Sequence, residues 1–406
     1  MLKKNLSLLL TFLSLCSTFS LEGRHVYDAF ITVDAVTAKA SATCLLNLVQ
    51  DIRTSSLEQL IPFYNPNDPT SFGFNLRGLQ VNAFFPANST ELFVTSPEVG
   101  ITQNFQGATR DESLSLFKEY FTNNALKSKG FLKAHARLTP IDPMAGNPNS
   151  LMAQMGQADF ALGRLSLLSG CGCWSAQPIV NQFQLGVNYD RGFSKGYDMT
   201  LVSFPLRYSY SPDYNWAFIL DAPIAVLSTG GSYSVFGSVG LGVRIPITRD
   251  WSLTPTFRSG FGGSIDMNCG SFFASPGILS NLQYPIQNFV LGMTNFIGYY
   301  CSGPLHVGGV NADYHLHNWV VKNGLYLTSC DGFAVCGRSF NFDLFITDSY
   351  FGGDKLFIEH YDEVGISLIT TNVLPWLDYD ALSIGFSYQF GEKGWKGYSI
   401  NTLYQF

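Results

Sequence analysis

The sequence predicts a mainly β protein: an antiparallel transmembrane β-barrel of about twelve strands, preceded by a smaller mixed α/β region. Charged residues make up only 13% of the 406 residues, and aromatic residues make up 15%. That charged share is about half the share typical of soluble proteins. The C-terminal part of the chain alternates apolar and polar residues in long runs, as membrane-crossing strands do. The last run ends at the aromatic residue Phe406.

The first twenty residues have the order of a secretory signal peptide. Lys3 and Lys4 precede a leucine-rich apolar stretch, and small residues follow at Thr18 and Ser20. The apolar stretch is shorter than the roughly 20 residues that a spanning helix needs. We therefore expect residues 1–20 to be a signal peptide and the rest of the chain to be exported.

Residues 21–157 are predicted to form the mixed α/β region, because helical spacing replaces strict alternation there. Apolar residues recur at helical intervals over residues 45–52, and residues 109–112 form a capping box before a second helical pattern. Residues 74–83 alternate like a strand. Residues 140–150 are rich in Pro, Gly and Asn and indicate a loop. The sequence leaves open whether this region is periplasmic, plugs the lumen or is a short exported passenger.

Residues 158–406 are predicted to form the barrel. Period-two alternation sends alternate side chains of a strand to opposite faces. A soluble β-sandwich also alternates and is the main alternative, although its strands are usually shorter and carry more charge on the wet face. The clearest alternating runs are residues 182–189, 202–208, 233–245, 339–346 and 382–389.

The two faces of these runs have different expected surroundings. The apolar face would contact lipid, and aromatic residues near strand ends would form interfacial girdles. The other face would line a lumen. The candidate girdle residues are Tyr208, Trp216, Trp251, Tyr388 and Trp395, and the candidate lumen residues are Gln182, Asn188, Arg207, Arg244, Arg258 and Asp343.

The last strand resembles the C-terminal signature of bacterial outer-membrane barrels. Its alternate residues Tyr398, Ile400, Thr402, Tyr404 and Phe406 share one face. The resemblance implies that Tyr398, Ile400, Tyr404 and Phe406 form the signal that the barrel-assembly machinery recognises. An edge strand with open backbone groups is physically suited to pair with a receptor strand.

The plan of the whole chain resembles the autotransporter β-domain superfamily. A signal peptide, a non-barrel segment, a linker and about twelve strands with a terminal Phe follow one another. The region before the barrel is short for a passenger and has no internal repeat, so a solitary barrel of this superfamily is the expected type. The resemblance implies a bacterial outer-membrane location, with both ends of the barrel segment on the periplasmic side.

Seven cysteines follow the predicted signal peptide, and export favours disulfide formation among them. Cys330 and Cys336 are the candidate pair, across a loop tip, although connectivity cannot be read from the sequence. The cysteine usage resembles chlamydia-type envelope proteins, which implies disulfide-linked envelope partners as one option. The seven are Cys44, Cys171, Cys173, Cys269, Cys301, Cys330 and Cys336.

No motif in the sequence predicts an enzyme or a cofactor. Hydrolase elbows, zinc-protease motifs and phosphate-binding loops are missing, so no catalytic, metal-binding or cofactor-binding residue is predicted. His315 and His317, with His306 upstream, could form a metal pair, but a polar surface is the simpler interpretation. Residues 359–363 are expected to form an exposed polar loop. A net charge of −6 provides no basic face for nucleic acid.

These observations predict a non-enzymatic envelope protein, either structural or a narrow channel. One alternative is a surface adhesin that binds through outer loops such as residues 267–284. The other is an outer-membrane enzyme. Outer-membrane lipid and the barrel-assembly machinery are the expected partners.

Overall fold

The computed structural model describes residues 24–163, 181–212, 216–307, 310–312, 314–330, 332–335, 338–370 and 381–406. The predicted signal peptide and three of the cysteines, Cys171, Cys173 and Cys336, lie outside these residues. Among the helices in the described ranges, none is long and apolar enough to cross a membrane.

A six-stranded antiparallel sheet is the framework of the N-terminal domain, which we define as residues 24–150. Its strand order is β2-β1-β3-β4-β5-β6. Strands β3 and β4 alternate buried and more exposed residues, so one face of the sheet is covered. Arg77 and Gly78 form the tight turn between them, both with positive φ. The strands are β1 Tyr27–Val33, β2 Val36–Ala42, β3 Thr70–Leu76, β4 Leu79–Phe85, β5 Glu91–Ser96 and β6 Ile101–Gln106.

Four helices accompany this sheet, and the predicted capping box begins the longest of them. The Thr109 side chain accepts a hydrogen bond from the Glu112 backbone N–H, which satisfies a free donor of the first helical turn. Phe117 of the same helix stacks on Phe74 of the sheet, with ring centroids 5.1 Å apart. The predicted mixed α/β character of this region is confirmed. The helices are α1 Leu45–Asp51, α2 Thr54–Leu60, α3 Arg110–Asn123 and α4 Lys129–Leu138.

Twelve antiparallel strands close into a barrel, which confirms the predicted fold class. Prolines at 205 and 223 interrupt the second and third barrel strands, since proline cannot donate to the ladder. In order, the wall consists of β7 Asn181–Ser194, β8 Tyr197–Phe204 with β9 Leu206–Tyr210, β10 Ala217–Asp221 with β11 Ile224–Thr229, β12 Ser232–Pro246, β13 Trp251–Ser264, β14 Cys269–Ile286, β15 Phe289–Gly303, β18 His317–Ser329, β20 Arg338–Gly353, β21 His360–Thr370, β22 Ala381–Gly391 and β23 Lys396–Gln405. A hairpin, β16 Leu305–Val307 with β17 Val310–Ala312, lies between β15 and β18, and β19 Phe333–Val335 pairs with β20.

The barrel closes where the last strand pairs with the first. Strand β23 is antiparallel to β7 along ten residues, from Lys396 opposite Phe193 to Gln405 opposite Gln184. Phe406 extends this seam, because its backbone donates to and accepts from the backbone of Phe183 at 2.8 and 3.0 Å. The five alternate residues from Tyr398 to Phe406 lie on the outward side, as their alternation predicts.

Outward side chains of the wall form an apolar belt, and inward ones are small or polar. Along β12, Tyr233, Val235 and Leu241 are more than half exposed, whereas Ser234 and Ser238 are buried. A closed wall with this outward face can contact hydrocarbon without leaving backbone groups unpaired. The chain is therefore a membrane-spanning barrel, and the soluble sandwich alternative is wrong.

Three details of the sequence-based description are corrected. Residue 158 lies in a helix, and the first wall strand among the described residues begins at Asn181. Residues 269–284 of the expected outer loop, predicted over residues 267–284, belong instead to the long strand β14. Trp395 is 1% exposed rather than interfacial, because its ring packs against Gly192, where a Cβ would lie 2.2 Å from the ring.

The N-terminal domain docks on one end of the barrel. We call the end that holds Asn181 and Phe406 the near end, and the opposite end the far end. Between described residues, the docking contacts are made to far-end turns and the strand ends beside them. They include the contacts of Arg24 N with Gly196 O, Thr43 O with Ser232 Oγ, Thr122 O with Asn268 Nδ2, Ala136 O with Phe357 N, Gly146 O with Ile358 N and Lys133 Nζ with Asp354 Oδ1.

Deleting Phe406 should lower the amount of folded protein in the outer membrane severalfold. The deletion removes the last backbone pair of the closing seam and the aromatic end of the expected assembly signal. The measurement is the fraction that migrates faster unheated than boiled on a gel. Phe406→Tyr keeps both features and is the matched control. Equal folded fractions for the deletion and the control would contradict the assignment of Phe406 to the assembly signal.

Candidate functional site

Within the part of the chain that the structure describes, one helix occupies the barrel lumen. This helix, α5 Leu151–Ala161, follows the N-terminal domain. Leu151 contacts Gly262 close to the far end, and Asp159 contacts Arg258 deeper in the barrel. The carbonyl of Gly163 accepts a hydrogen bond from Asn281 toward the near end, at 2.9 Å. Residues 151–163 therefore run inside the lumen from the far end toward the near end.

The helix packs against one half of the wall, because glycines there allow close approach. A Cβ at Gly260 would lie 2.6 Å from Met155 Sδ, and one at Gly324 would lie 2.7 Å from the Phe160 ring. Both distances are too short for a real Cβ. This half of the wall consists of β12 to β15 and β18, and the remaining lumen space lies on the other side of the helix.

A buried ion-pair network fixes the helix to the wall. The Arg258 guanidinium donates from Nε to Asp159 Oδ1 at 2.7 Å and from Nη2 to Asp221 Oδ2 at 2.8 Å. Arg207 Nε donates to the other oxygen of Asp221 at 3.3 Å. Tyr300 donates its hydroxyl proton to Asp159 Oδ2 at 2.6 Å. Two cations thus balance two carboxylates, as buried charges require.

The predicted lumen residues all lie on the inner side of the wall. Among these described residues, two are joined through a common partner. Arg207 and Arg258 share Asp221 in the network. Arg244 donates to Ser252 Oγ at 3.0 Å. Asp343 accepts from Thr328 Oγ1 at 2.6 Å. These two residues lie nearer the near end, away from the network.

The two acidic members of the network, Asp159 and Asp221, were not among the residues predicted from the sequence. Asp221 could have been found, because it continues the inward alternation of Ala217 and Ile219 in β10. Asp159 could not, because it lies on a helix whose partner residue is 99 positions away. Its role depends on the threading of α5 through the barrel.

A second polar group lies across the lumen from the network. Lys322 Nζ is 3.8 Å from Glu363 Oε2 and lies over the rings of Phe160 and Tyr361. Glu363 accepts a hydrogen bond from Ser387 at 2.6 Å. Glu363 belongs to the expected exposed loop at 359–363, which is corrected because β21 begins at His360 and turns Glu363 inward.

A cavity of about 290 Å3 separates α5 from the second half of the wall. Amide and hydroxyl groups predominate among its polar lining, and four aromatic rings contribute to its apolar part. The lining includes Gln154, Gln157, Phe160, Gln184, Asn188, Ser203, Arg207, Asp221, Ser238, Tyr326, Phe345, Thr347, Glu363, Ser367, Ser383 and Asn401. This cavity is the candidate binding site within the described residues.

A buried polar cluster holds the N-terminal domain to the far-end loops. His135 Nδ1 lies 2.6 Å from Asp142 Oδ2, and both side chains are fully buried. Tyr314, from the loop before β18, donates to the same Asp142 oxygen at 3.0 Å. Burial lowers the pKa of His135. Burial and the nearby Asp142 carboxylate raise the pKa of Tyr314 well above its ordinary value.

One group of side chains has the composition of a metal site. Asp348, His360 and Asp362 place their ligand atoms within 4.8 Å of one another on the outer side of β20 and β21. His360 Nε2 lies 2.6 Å from Asp348 Oδ1, so these groups already pair with each other. His315 and His317 are both exposed, and His317 contacts the Tyr299 hydroxyl.

The cysteine predictions stay predictions. Cys330 is half-buried, and Cys336, its candidate partner, lies outside the described residues. Cys44, Cys269 and Cys301 are thiols in this structure. They lie in the N-terminal domain, at the start of β14 and in β15.

Several solved structures of bacterial outer-membrane proteins are similar to this chain. The β domain of the Bordetella autotransporter BrkA is 10% identical, matches over 56% of this chain and 99% of its own, and has a TM-score of 0.44. The translocator domain of the autotransporter NalP from Neisseria meningitidis is 12% identical, with 63% and 98% covered and a TM-score of 0.41. An outer membrane channel from Pseudomonas putida F1 is 10% identical, with 58% and 97% covered and a TM-score of 0.36.

No protein-family model and no curated protein matches this chain. The apolar belt of the wall agrees with the predicted membrane location. The comparisons give no support to the cysteine resemblance to chlamydia-type envelope proteins.

Replacing Arg258 with methionine should lower the free energy of unfolding by about 3–5 kcal/mol, because Asp159 and Asp221 would stay buried with one cation removed. Urea unfolding of the detergent-folded protein, followed by tryptophan fluorescence, measures the change. Arg244→Met is the control, since Arg244 donates to a neutral hydroxyl. If Arg258→Met lowered the free energy of unfolding no more than the control did, the network would not be what holds the helix.

Proposed function

We propose that this chain is a non-enzymatic outer-membrane protein that displays its N-terminal domain at the cell surface for binding other molecules. One observation carries the proposal: α5 passes through the lumen and joins a domain docked on the far end to a strand that begins at the near end. The barrel then serves as a membrane anchor, and α5 of the same chain fills part of its lumen.

The orientation of the barrel follows from the autotransporter-like plan. In that plan both ends of the barrel segment lie on the periplasmic side, so Asn181 and Phe406 mark the periplasmic end. The far end then faces outward, together with the N-terminal domain. Of the three placements left open by the sequence, a short exported passenger agrees best with this arrangement, and α5 acts as the plug.

The displayed domain has a surface suited to contact. The helices cover one face of its sheet, and the other face carries the half-exposed rings of Phe30, Phe84 and Phe93. Lys39 lies over the Phe30 ring at 5.6 Å, so the face also carries charge. Phe84 and Phe93 are cross-strand partners. Single exposed apolar residues are ordinary, but aromatic residues grouped on an open sheet face favour an interaction role.

The narrow-channel prediction is the second candidate, and the cavity beside α5 is the observation in its favour. Against it, the helix and the docked domain both obstruct the lumen. A structural envelope role is compatible with display. Outer-membrane lipid and the barrel-assembly machinery are the partners that we propose for the barrel itself.

An epitope tag inserted after Asn88, in the exposed turn between β4 and β5, should be reached by antibody on intact cells. The same tag inserted after Arg249, in a near-end turn, should be reached only after permeabilisation. Flow cytometry of intact and permeabilised cells measures both. The reverse pattern would place the N-terminal domain in the periplasm and refute surface display.

The full chain should show no stable conductance in a planar lipid bilayer, because α5 fills part of the lumen and the N-terminal domain covers its far end. The Arg258→Met variant should show brief conducting events more often than the unaltered chain, since its lumen helix loses the main contact with the wall. A large, steady conductance of the unaltered chain would instead favour the channel function.

A further inference from the structure

The lumen cavity lies between two unlike surfaces. On one side, α5 presents the amides of Gln154 and Gln157. On the other side, the wall presents hydroxyl and amide groups, among them Asn188, Thr347 and Asn401. The volume of about 290 Å3 lies at the lower end of the range for small-molecule sites, about 300–1,000 Å3. A small polar molecule is the matching occupant.

Charged groups around the cavity are already neutralised by partners within the wall and helix. Asp221 lies between Arg207 and Arg258, at 3.3 and 2.8 Å. Glu363 accepts a hydrogen bond from the Ser387 hydroxyl and lies near the Lys322 ammonium. A charged ligand would lose its hydration without gaining an unpaired countercharge. The lining therefore favours an uncharged ligand.

Two polar atoms that line the cavity have no hydrogen-bond partner within the described residues. They are the hydroxyl of Thr347 and the amide oxygen of Gln157. Thr347 is 4% exposed, so bulk solvent does not satisfy it. Buried polar groups in folded proteins are almost always hydrogen-bonded. Gln157 lies on α5 and Thr347 lies on β20 of the wall, so a molecule in the cavity borders both residues.

Aromatic rings supply the apolar part of the lining. Phe160 of α5 and Tyr326 of β18 stack with centroids 6.3 Å apart, and Tyr326 contacts Phe345 of β20 at 6.1 Å. Sugars are molecules that need both kinds of surface, since their hydroxyls hydrogen-bond to amides and hydroxyls while their C–H faces pack on rings.

We propose that the cavity binds a neutral sugar of one or two hexose units. The Gln157 amide oxygen and the Thr347 hydroxyl hydrogen-bond to sugar hydroxyls, and the rings of Phe160 and Tyr326 border the bound sugar. This site goes beyond surface display and does not depend on it, because the ligand lies in the barrel rather than on the N-terminal domain.

Isothermal titration of the full-length protein with glucose and with maltose tests the site. The protein is kept in a detergent without a sugar headgroup, so that the detergent does not compete. Glucuronate is titrated as the charged counterpart. Saturable binding of glucose or maltose is expected, with glucuronate at least about tenfold weaker, because its carboxylate meets no unpaired cation.

Two variants remove the unpartnered atoms with little change of shape. Thr347→Val and Gln157→Leu should each weaken sugar binding about tenfold. Thr254→Val is the matched control, because the Thr254 hydroxyl is also buried and without a partner among the described atoms, but it does not line the cavity. Heat-modifiable gel mobility checks folding. Gln157 lies on the helix rather than in the wall, so its variant tests the site even if Thr347→Val does not fold.

Three results would overturn the proposal. The first is no saturable binding of either sugar. The second is an equal sugar affinity for Thr347→Val, Gln157→Leu and the control Thr254→Val. That result would place the sugar elsewhere on the protein. The third is glucuronate binding as tight as that of the neutral sugars, which would overturn the assignment to an uncharged ligand.

Discussion

Hydrocarbon offers no hydrogen bonds, and the rest of this structure depends on that constraint. Every backbone N–H and C=O of a membrane-crossing strand must pair with another strand, so the sheet has to close. Closure at β7 and β23 creates an interior wider than the wall side chains fill. The chain fills part of that interior with its own helix. The lumen helix is therefore a consequence of the barrel that surrounds it.

Charge balance determines where that helix lies. A carboxylate such as Asp159 is costly to bury unless a cation contacts it. Arg258 supplies that cation from the wall, and Asp221 and Arg207 complete the balance. Glycines beside the network allow the helix to approach the wall closely on that side. The space left on the opposite side is the cavity, so packing and electrostatics together produce its position.

Different contacts hold the far end together, because it lies outside the hydrocarbon region. There, backbone hydrogen bonds and the buried Asp142 cluster join the N-terminal domain to the turns of the barrel. The helices of the domain cover one face of its sheet, and docking on the barrel leaves the other face open. The same chain thus has a membrane-spanning part, a part threaded in the lumen and a part docked on the far end, and surface display is the function that we propose from this order.

The sequence by itself determined the features that depend on local backbone geometry. Alternation in β12 and β22, the capping box at Thr109 and the outward face of β23 follow from the side-chain periods of strands and helices. It also placed Arg207 and Arg258 in the lumen. Only the tertiary structure decided that Asp159 meets Arg258, that Trp395 is buried against Gly192, and that the N-terminal domain lies on the far end. These contacts join residues far apart in the chain, and closure of the barrel and the threading of α5 bring them together.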